Sequence, residues 1–281
     1  MNPVSTLQRA AALGFFVLPV FCDSAAQATP DAFYTVNTTV GTKTLGSAYI
    51  GAASANATTF STPRVVFTSG VTVGSAVVIY GGSLSFPANC TVGLGVTVKN
   101  AGSFTMTGGT IGVSNALAQD VIGYNSAAIA VSGGTLLGNL GSFGGTVTLS
   151  GGTVDGQLLA KFASVITYSG GIVMNGLAAN DTSTLNFTGK GLTASLSSYS
   201  APYAYYNVSG MLTNNSQTQT VIYNVLVQDG AHLQFNGQPA ITGASTPAPG
   251  SLLVSLLGFT GIGFGMRQRR QQQASRVSPA E

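Results

Sequence analysis

Few residues in this chain could do covalent or metal chemistry, and their spacing does not group them. His232 is the only histidine. A Ser-His-Asp or Cys-His arrangement would have to be built around it, and no G-x-S-x-G elbow is available to present a serine. A lone histidine near a strand end reads as a surface or cap residue. The carboxylates Asp120, Asp155 and Asp181 are far apart in sequence. A metal centre needs several His, Cys or carboxylate ligands converging, so no catalytic, cofactor-binding or metal residue is expected. Cys90 is the one cysteine outside the N-terminal leader, which contains Cys22. That leaves no intrachain disulfide and no thiolate site, and Cys90 reads as a small core or loop residue. Tyr199, Tyr203, Tyr205 and Tyr206 crowd together. They suit a glycan-stacking platform, or else packing over an exposed end of the fold.

The elements that would position these residues follow from a repeat. Val147-Thr-Leu149-Ser-Gly151-Gly-Thr-Val154, Ile166-Thr-Tyr168-Ser-Gly170-Gly-Ile-Val173 and Leu185-Asn-Phe187-Thr-Gly189-Lys-Gly-Leu192 share one pattern, with the first glycines 19 residues apart. Relative to that glycine, apolar residues fall at −4, −2 and +3. Gly133 and Gly108 carry the same frame upstream. Apolar residues two apart face one side of a strand, and Gly-Gly reads as a turn. One such coil cannot bury its apolar face, but stacked coils can. The frame predicts two apolar rows: Phe104, Ile129, Val147, Ile166, Leu185 and Met106, Val131, Leu149, Tyr168, Phe187. The expected fold is all-β, a parallel β-helix or β-solenoid with coils of about 19 residues and irregular β caps. About ten coils would make a rod on the order of 50 Å at strand spacing.

The frame also places side chains outside the core. Asp155 is at +4, where the other coils have Gly112, Leu137, Met174 and Thr193. No second carboxylate stacks on it. A polysaccharide lyase or hydrolase on stacked coils would need a pair about 5–9.5 Å apart, so that enzyme class is the weaker alternative. Position +2 holds Thr110, Thr135 and Thr153, then Ile172 and Gly191. This threonine row is expected to end after three coils and to reflect β-propensity.

Composition fits an exported chain. Charged residues make up 6% and glycines number 38 of 281 residues, against about a quarter charged in ordinary soluble domains. The net charge of +3 resides in the tail. Residues 29–246 hold Lys43, Arg64, Lys99, Lys161 and Lys190 against Asp31, Asp120, Asp155, Asp181 and Asp229, so 5 − 5 = 0. No basic stripe exists for nucleic acid.

Five segments are expected. Residues 1–28 read as a signal peptide, with Arg9 as the basic region, an apolar run over 10–21, and Ala26-Gln-Ala28 as the cleavage site before Thr29. Residues 29–100 are irregular β coils, 101–198 the regular repeats, and 199–245 a C-terminal β cap. The longer step from Gly108 to Gly133 predicts a surface loop or short helical turn over 112–125. Residues 246–281 form a tail: Thr246-Pro-Ala-Pro249-Gly-Ser, an uncharged run at 251–266, then Arg267-Gln-Arg-Arg270. Sixteen helical residues reach about 24 Å, a marginal membrane span, with its arginines on the inner side.

This tail resembles the PEP-CTERM sorting signal of Gram-negative-type bacteria. The parallel positions are Pro247, Ala248 and Pro249, the helix, and Arg267, Arg269 and Arg270. Ala248 stands where that family usually has Glu, and eleven residues follow Arg270. The resemblance implies cleavage by signal peptidase and processing by an exosortase, a membrane protease-transpeptidase. The body is similar to the repetitive, autotransporter-passenger-like solenoids of that group through Gly144-Gly-Thr-Val-Thr-Leu-Ser-Gly-Gly-Thr-Val-Asp-Gly156. The group implies a structural or adhesive protein of the cell surface or extracellular matrix. It would be membrane-held in transit, with extracellular polysaccharide as a candidate partner and no defined activity or cofactor. A glycan-binding module on the tyrosine cluster is the other alternative.

Overall fold

The computed structural model describes residues 31–113, 119–214, 221–228 and 230–242. The leader with Ala26, Ala28 and Thr29, and the tail with Pro247, Ala248, Pro249, Arg267, Arg269, Arg270 and the 251–266 run, lie outside the described residues.

The strands follow one another in coils. The first coil is β1 (Ala32–Tyr34), β2 (Thr38–Val40) and β3 (Lys43–Leu45), and the second is β4 (Ala48–Ile50), β5 (Arg64–Phe67) and β6 (Val71–Val73). The third is β7 (Val77–Tyr80), β8 (Ser83–Phe86) and β9 (Thr91–Val92). From there each coil has one short and one long strand. These are β10 (Val96–Lys99) with β11 (Ser103–Ile111), β12 (Val121–Tyr124) with β13 (Ala128–Leu136), β14 (Leu140–Phe143) with β15 (Thr146–Val154), and β16 (Leu158–Lys161) with β17 (Val165–Val173). The eighth coil is β18 (Leu177–Ala179) and β19 (Thr184–Phe187). A hairpin, β20 (Gly189–Ser200) and β21 (Tyr203–Leu212), then leaves the stack. The ninth coil is β22 (Val221–Gln228) and β23 (His232–Phe235), closed by β24 (Gln238–Thr242).

Two sheets result. The first runs β1-β4-β7-β10-β12-β14-β16-β18-β22, continued by β21 and β20. The second runs β2-β5-β8-β11-β13-β15-β17-β19-β23-β24, with the short β3, β6 and β9 stacked beside it. Among the described residues, pairing between successive coils is parallel throughout, and antiparallel strand pairing is found at the C-terminal end, with one isolated antiparallel bridge at Ala52–Phe60. Among the described residues the protein is thus all-β, with stacked parallel strands in two sheets, the arrangement of a β-solenoid.

Both predicted apolar rows are present. Phe104 pairs in turn with Ile129, Val147, Ile166 and Leu185, and Met106 with Val131, Leu149, Tyr168 and Phe187. All ten are buried. The first-sheet strands supply the facing wall through Val77, Val96, Val121, Leu140, Leu158, Leu177 and Val225. Strands buried on an inner face of stacked parallel coils need this β-branched and aliphatic content.

Four expectations need correction. The Gly-Gly pairs are not turns between strands. They lie inside the nine-residue strands β11, β13, β15 and β17, where the ladder shifts register and the strand bends round a corner. The turn chemistry is at the other corner, where Asn100, Ala101, Asn125, Ser126, Phe162 and Asp181 hold positive φ values. The 112–125 segment is not all loop, since Val121–Tyr124 is a first-sheet strand. The +2 row does not end after three coils. It begins at Thr44 and passes through Thr72, Thr91, Thr110, Thr135 and Thr153 before Ile172. The stack holds nine coils among the described residues, about 38 Å over eight strand spacings. The ninth is built from residues expected to be only cap.

Candidate functional site

The second sheet's outward positions form rows of small polar residues. One is Ser83, Ser103, Ala128, Thr146, Val165, Thr184 and His232; the next is Ser85, Thr105, Ala130, Thr148, Thr167, Asn186 and Gln234. The single histidine therefore continues a row of mostly hydroxyl residues that Ala128 and Val165 interrupt.

The first sheet presents different chemistry. Its central outward row is Phe33, Tyr49, Val78, Thr97, Ile122, Gly141, Leu159, Ala178 and Leu226, extended by Tyr205 on the hairpin. Phe33 and Tyr49 stack at 4.9 Å. A second outward row stands at the strands' C-terminal ends. Lys99 pairs with Tyr80, Tyr124 with Phe143, and Phe143 with Lys161. Val98 pairs with Gly123, which sets Lys99 beside Tyr124. Phe60 stacks on Tyr80 at 4.7 Å, and Phe162, 60% exposed, meets Phe143 edge-on at 6.2 Å. Each lysine ammonium lies over a ring, Lys99 over Tyr80 and Lys161 over Phe143, both at 5.6 Å from the centroid. Cation–π contacts of this kind order a side chain that would otherwise sample many rotamers. An open cavity of about 410 Å³ lies in the row between Thr97, Lys99, Tyr124 and Asn125.

The tyrosine cluster divides. Tyr203 and Tyr205, 37% and 43% exposed, are two apart on β21 and share the outward side. Tyr206 is 6% exposed and belongs to the core side, with Ala204. Tyr199 pairs with Ala204 and so is on the same sheet face as Tyr206, but on the outer hairpin strand it is 38% exposed. Tyr205 and Tyr206 border a cavity of about 310 Å³ between the hairpin and the eighth coil, lined also by Ala178, Ser197, Ser198 and Leu226. Two of the four tyrosines therefore continue the first-sheet face.

The carboxylates are not gathered. Asp120 precedes β12, and its Oδ1 accepts hydrogen bonds from the backbone and side-chain amides of Asn139 at 2.8 and 3.0 Å. Asn139 repeats the device for the backbone of Gln157 at 2.7 Å. Asp181 is at the opposite corner, accepting from the Phe162 backbone at 3.1 Å. Asp155 follows β15. Asp120, Asn139 and Asp181 act as corner caps that satisfy backbone donors between coils. Among the described residues no three His, Cys, Asp or Glu side chains come together.

Cys90 is buried, and its thiol donates to the Thr68 carbonyl at 3.0 Å. Burial pushes the thiol up, and hydrogen bonds from the Val71 and Gly70 backbones only partly oppose this. A thiol held protonated and out of solvent is a poor nucleophile. Folded protein at neutral pH should resist alkylation by iodoacetamide and react fully once unfolded. Stoichiometric labelling of the folded state within minutes would contradict the burial.

No family model, curated protein or solved structure matches this chain. The site is therefore read from its own residues. Sequence reasoning missed the row from Tyr80 to Lys161 because no single motif carries it. One signal was available: each member is the last residue of a short strand, directly before a corner and directly after an inward residue.

Proposed function

We propose that the protein is an exported structural or adhesive protein of the bacterial cell surface or extracellular matrix, sorted through its PEP-CTERM-like tail. The signal peptide would be cleaved between Ala28 and Thr29, and the 251–266 helix would hold the protein in the inner membrane until an exosortase-type enzyme acted near Pro247-Ala-Pro249. The observation that carries the adhesive part is the first sheet's outward face. It is an aliphatic and aromatic surface running along a rod whose inward rows are all packing. Outward aromatic and aliphatic residues repeated on one face suit an interaction face. A glycan-binding module centred on Tyr203 and Tyr205 is the second reading, favoured by their shared exposure and by Tyr205 bordering the hairpin cavity.

Fractionation of the native host, with sequencing of both mature termini, tests the sorting. The expected N-terminus is Thr29, and the expected C-terminus lacks residues 267–281. Retention of 267–281 on every molecule overturns exosortase processing.

A further inference from the structure

We infer that the first-sheet row from Tyr80 to Lys161 is a binding strip for a linear polysaccharide bearing carboxylates. The row runs Tyr80, Lys99, Tyr124, Phe143, Lys161 over five consecutive coils, so its occupant lies along the rod axis. Three features define the ligand. The rings supply apolar contact for the C–H groups of sugar rings. The two ammonium groups supply charge. Among the described residues neither is ion-paired, and each is already ordered over a ring, which lowers the entropy lost on binding. The neighbouring carboxylate, Asp181, is engaged by the Phe162 backbone. The open cavity at Thr97, Lys99, Tyr124 and Asn125 leaves room beside the first lysine.

Charge density separates this ligand from nucleic acid. Lys99 and Lys161 are three coils apart, about 14 Å at strand spacing. A duplex carries one charge per ~1.7 Å, about eight over that length. Two lysines on a body with balanced charge cannot match that, whereas a polymer with widely spaced carboxylates and apolar ring faces between them fits the alternation of cation and aromatic.

The inference deepens the adhesive reading and depends on it for biological setting alone. Binding in vitro can fail while export and tail processing stand, and the reverse also holds. The test is affinity electrophoresis of the full chain in mild detergent, through gels containing polygalacturonate, uncharged dextran or double-stranded DNA. Polygalacturonate should retard the protein, with weakening as salt rises, while dextran and DNA should not. Lys99→Gln with Lys161→Gln should weaken retardation roughly tenfold or more, as expected for losing charge-assisted contacts. Tyr124→Leu with Phe143→Leu should weaken it comparably with both lysines kept. Unchanged β circular dichroism in the lysine variant shows that the loss is one of charge. Absence of retardation, equal retardation by dextran or DNA, or full retardation of the lysine variant overturns the assignment.

Discussion

Replacing Phe187 by alanine should destabilise the C-terminal coils by about 3–5 kcal/mol, the usual cost of deleting a buried aromatic ring with partial collapse of the cavity. Phe187 is fully buried at the end of β19. It touches Tyr168 at 5.6 Å, Tyr223 at 5.7 Å and Phe235 at 6.1 Å between centroids. Tyr168 and Tyr223 also meet directly at 5.4 Å. Burial, reinforced by Tyr223, drives the Tyr168 phenol far above its ordinary range, and its hydroxyl donates to the Gly171 carbonyl at 3.0 Å. This cluster is where the chain re-enters the stack after the hairpin, so it joins the ninth coil to the seventh and eighth. In a stack each coil contacts mainly its neighbours, so the damage should be local. Hydrogen exchange should show β22 and β23 losing protection while β13 and β15 keep theirs, and a calorimetric transition for the end coils should fall by roughly 10 °C or more. Uniform loss of protection along the rod, or a shift of only a degree or two, would refute this account.

The same cluster shows what the sequence discloses and what it conceals. Phe187 and Tyr168 belong to a row that is legible because Gly-Gly, or Gly-Lys-Gly at Gly189, marks the frame in every regular coil. That marker is a consequence of steric crowding at one corner, so it reports only on the long strands that pass it. First-sheet strands carry no such marker. In the first eight coils they are three or four residues long, and only one or two of those residues face outward. A row that takes one residue from each coil, at steps of 18, 19 or 25, looks like scattered Tyr, Lys and Phe. Lys99 and Lys161 therefore read as two charges in a sum. The threonine row was underestimated for a similar reason, because Thr44, Thr72 and Thr91 sit in coils that lack the Gly-Gly corner.

The hairpin conceals its geometry in another way. In strands, alternation assigns faces only if the register is known. A bulge between Leu196 and Ser198 changes the parity, so Leu196 opposes Tyr206 and Ser198 opposes Tyr205. Tyr199 thereby falls on the sheet face of Tyr206, though exposed there on the outer strand, while Tyr203 and Tyr205 join the aliphatic row through the Tyr205–Leu226 pair. A cluster in sequence becomes two surfaces in space, and the outward one extends the same face as the Tyr80–Lys161 strip.

Gly151→Ala should cost about 2–4 kcal/mol, although it adds a single methyl group, because there is no side chain nearby that can move aside. A Cβ at Gly151 would lie 2.4 Å from the Ser132 backbone oxygen and 3.1 Å from its carbonyl carbon. Relief would require the β13–β15 ladder to separate at the bend, where Ser132 pairs with Gly151. The adjacent Gly152 adds a different constraint, a φ of +86° together with backbone atoms at 2.9–3.2 Å, so Gly152→Ala should be at least as damaging. Gly144 separates the two effects. Its φ is +89°, but nothing lies within 4 Å of its Cβ position. Gly144→Ala should therefore cost only the dihedral penalty, about 1–2 kcal/mol. Melting and hydrogen-exchange measurements on the three variants should rank Gly144→Ala mildest. If Gly151→Ala melts with the parent protein, the bend is not sterically determined, and the repeat's Gly-Gly would need another explanation. If it is as damaging as expected, the conserved spacing of stacked backbones at this corner is what forces glycine into each regular coil and so writes the repeat into the chain.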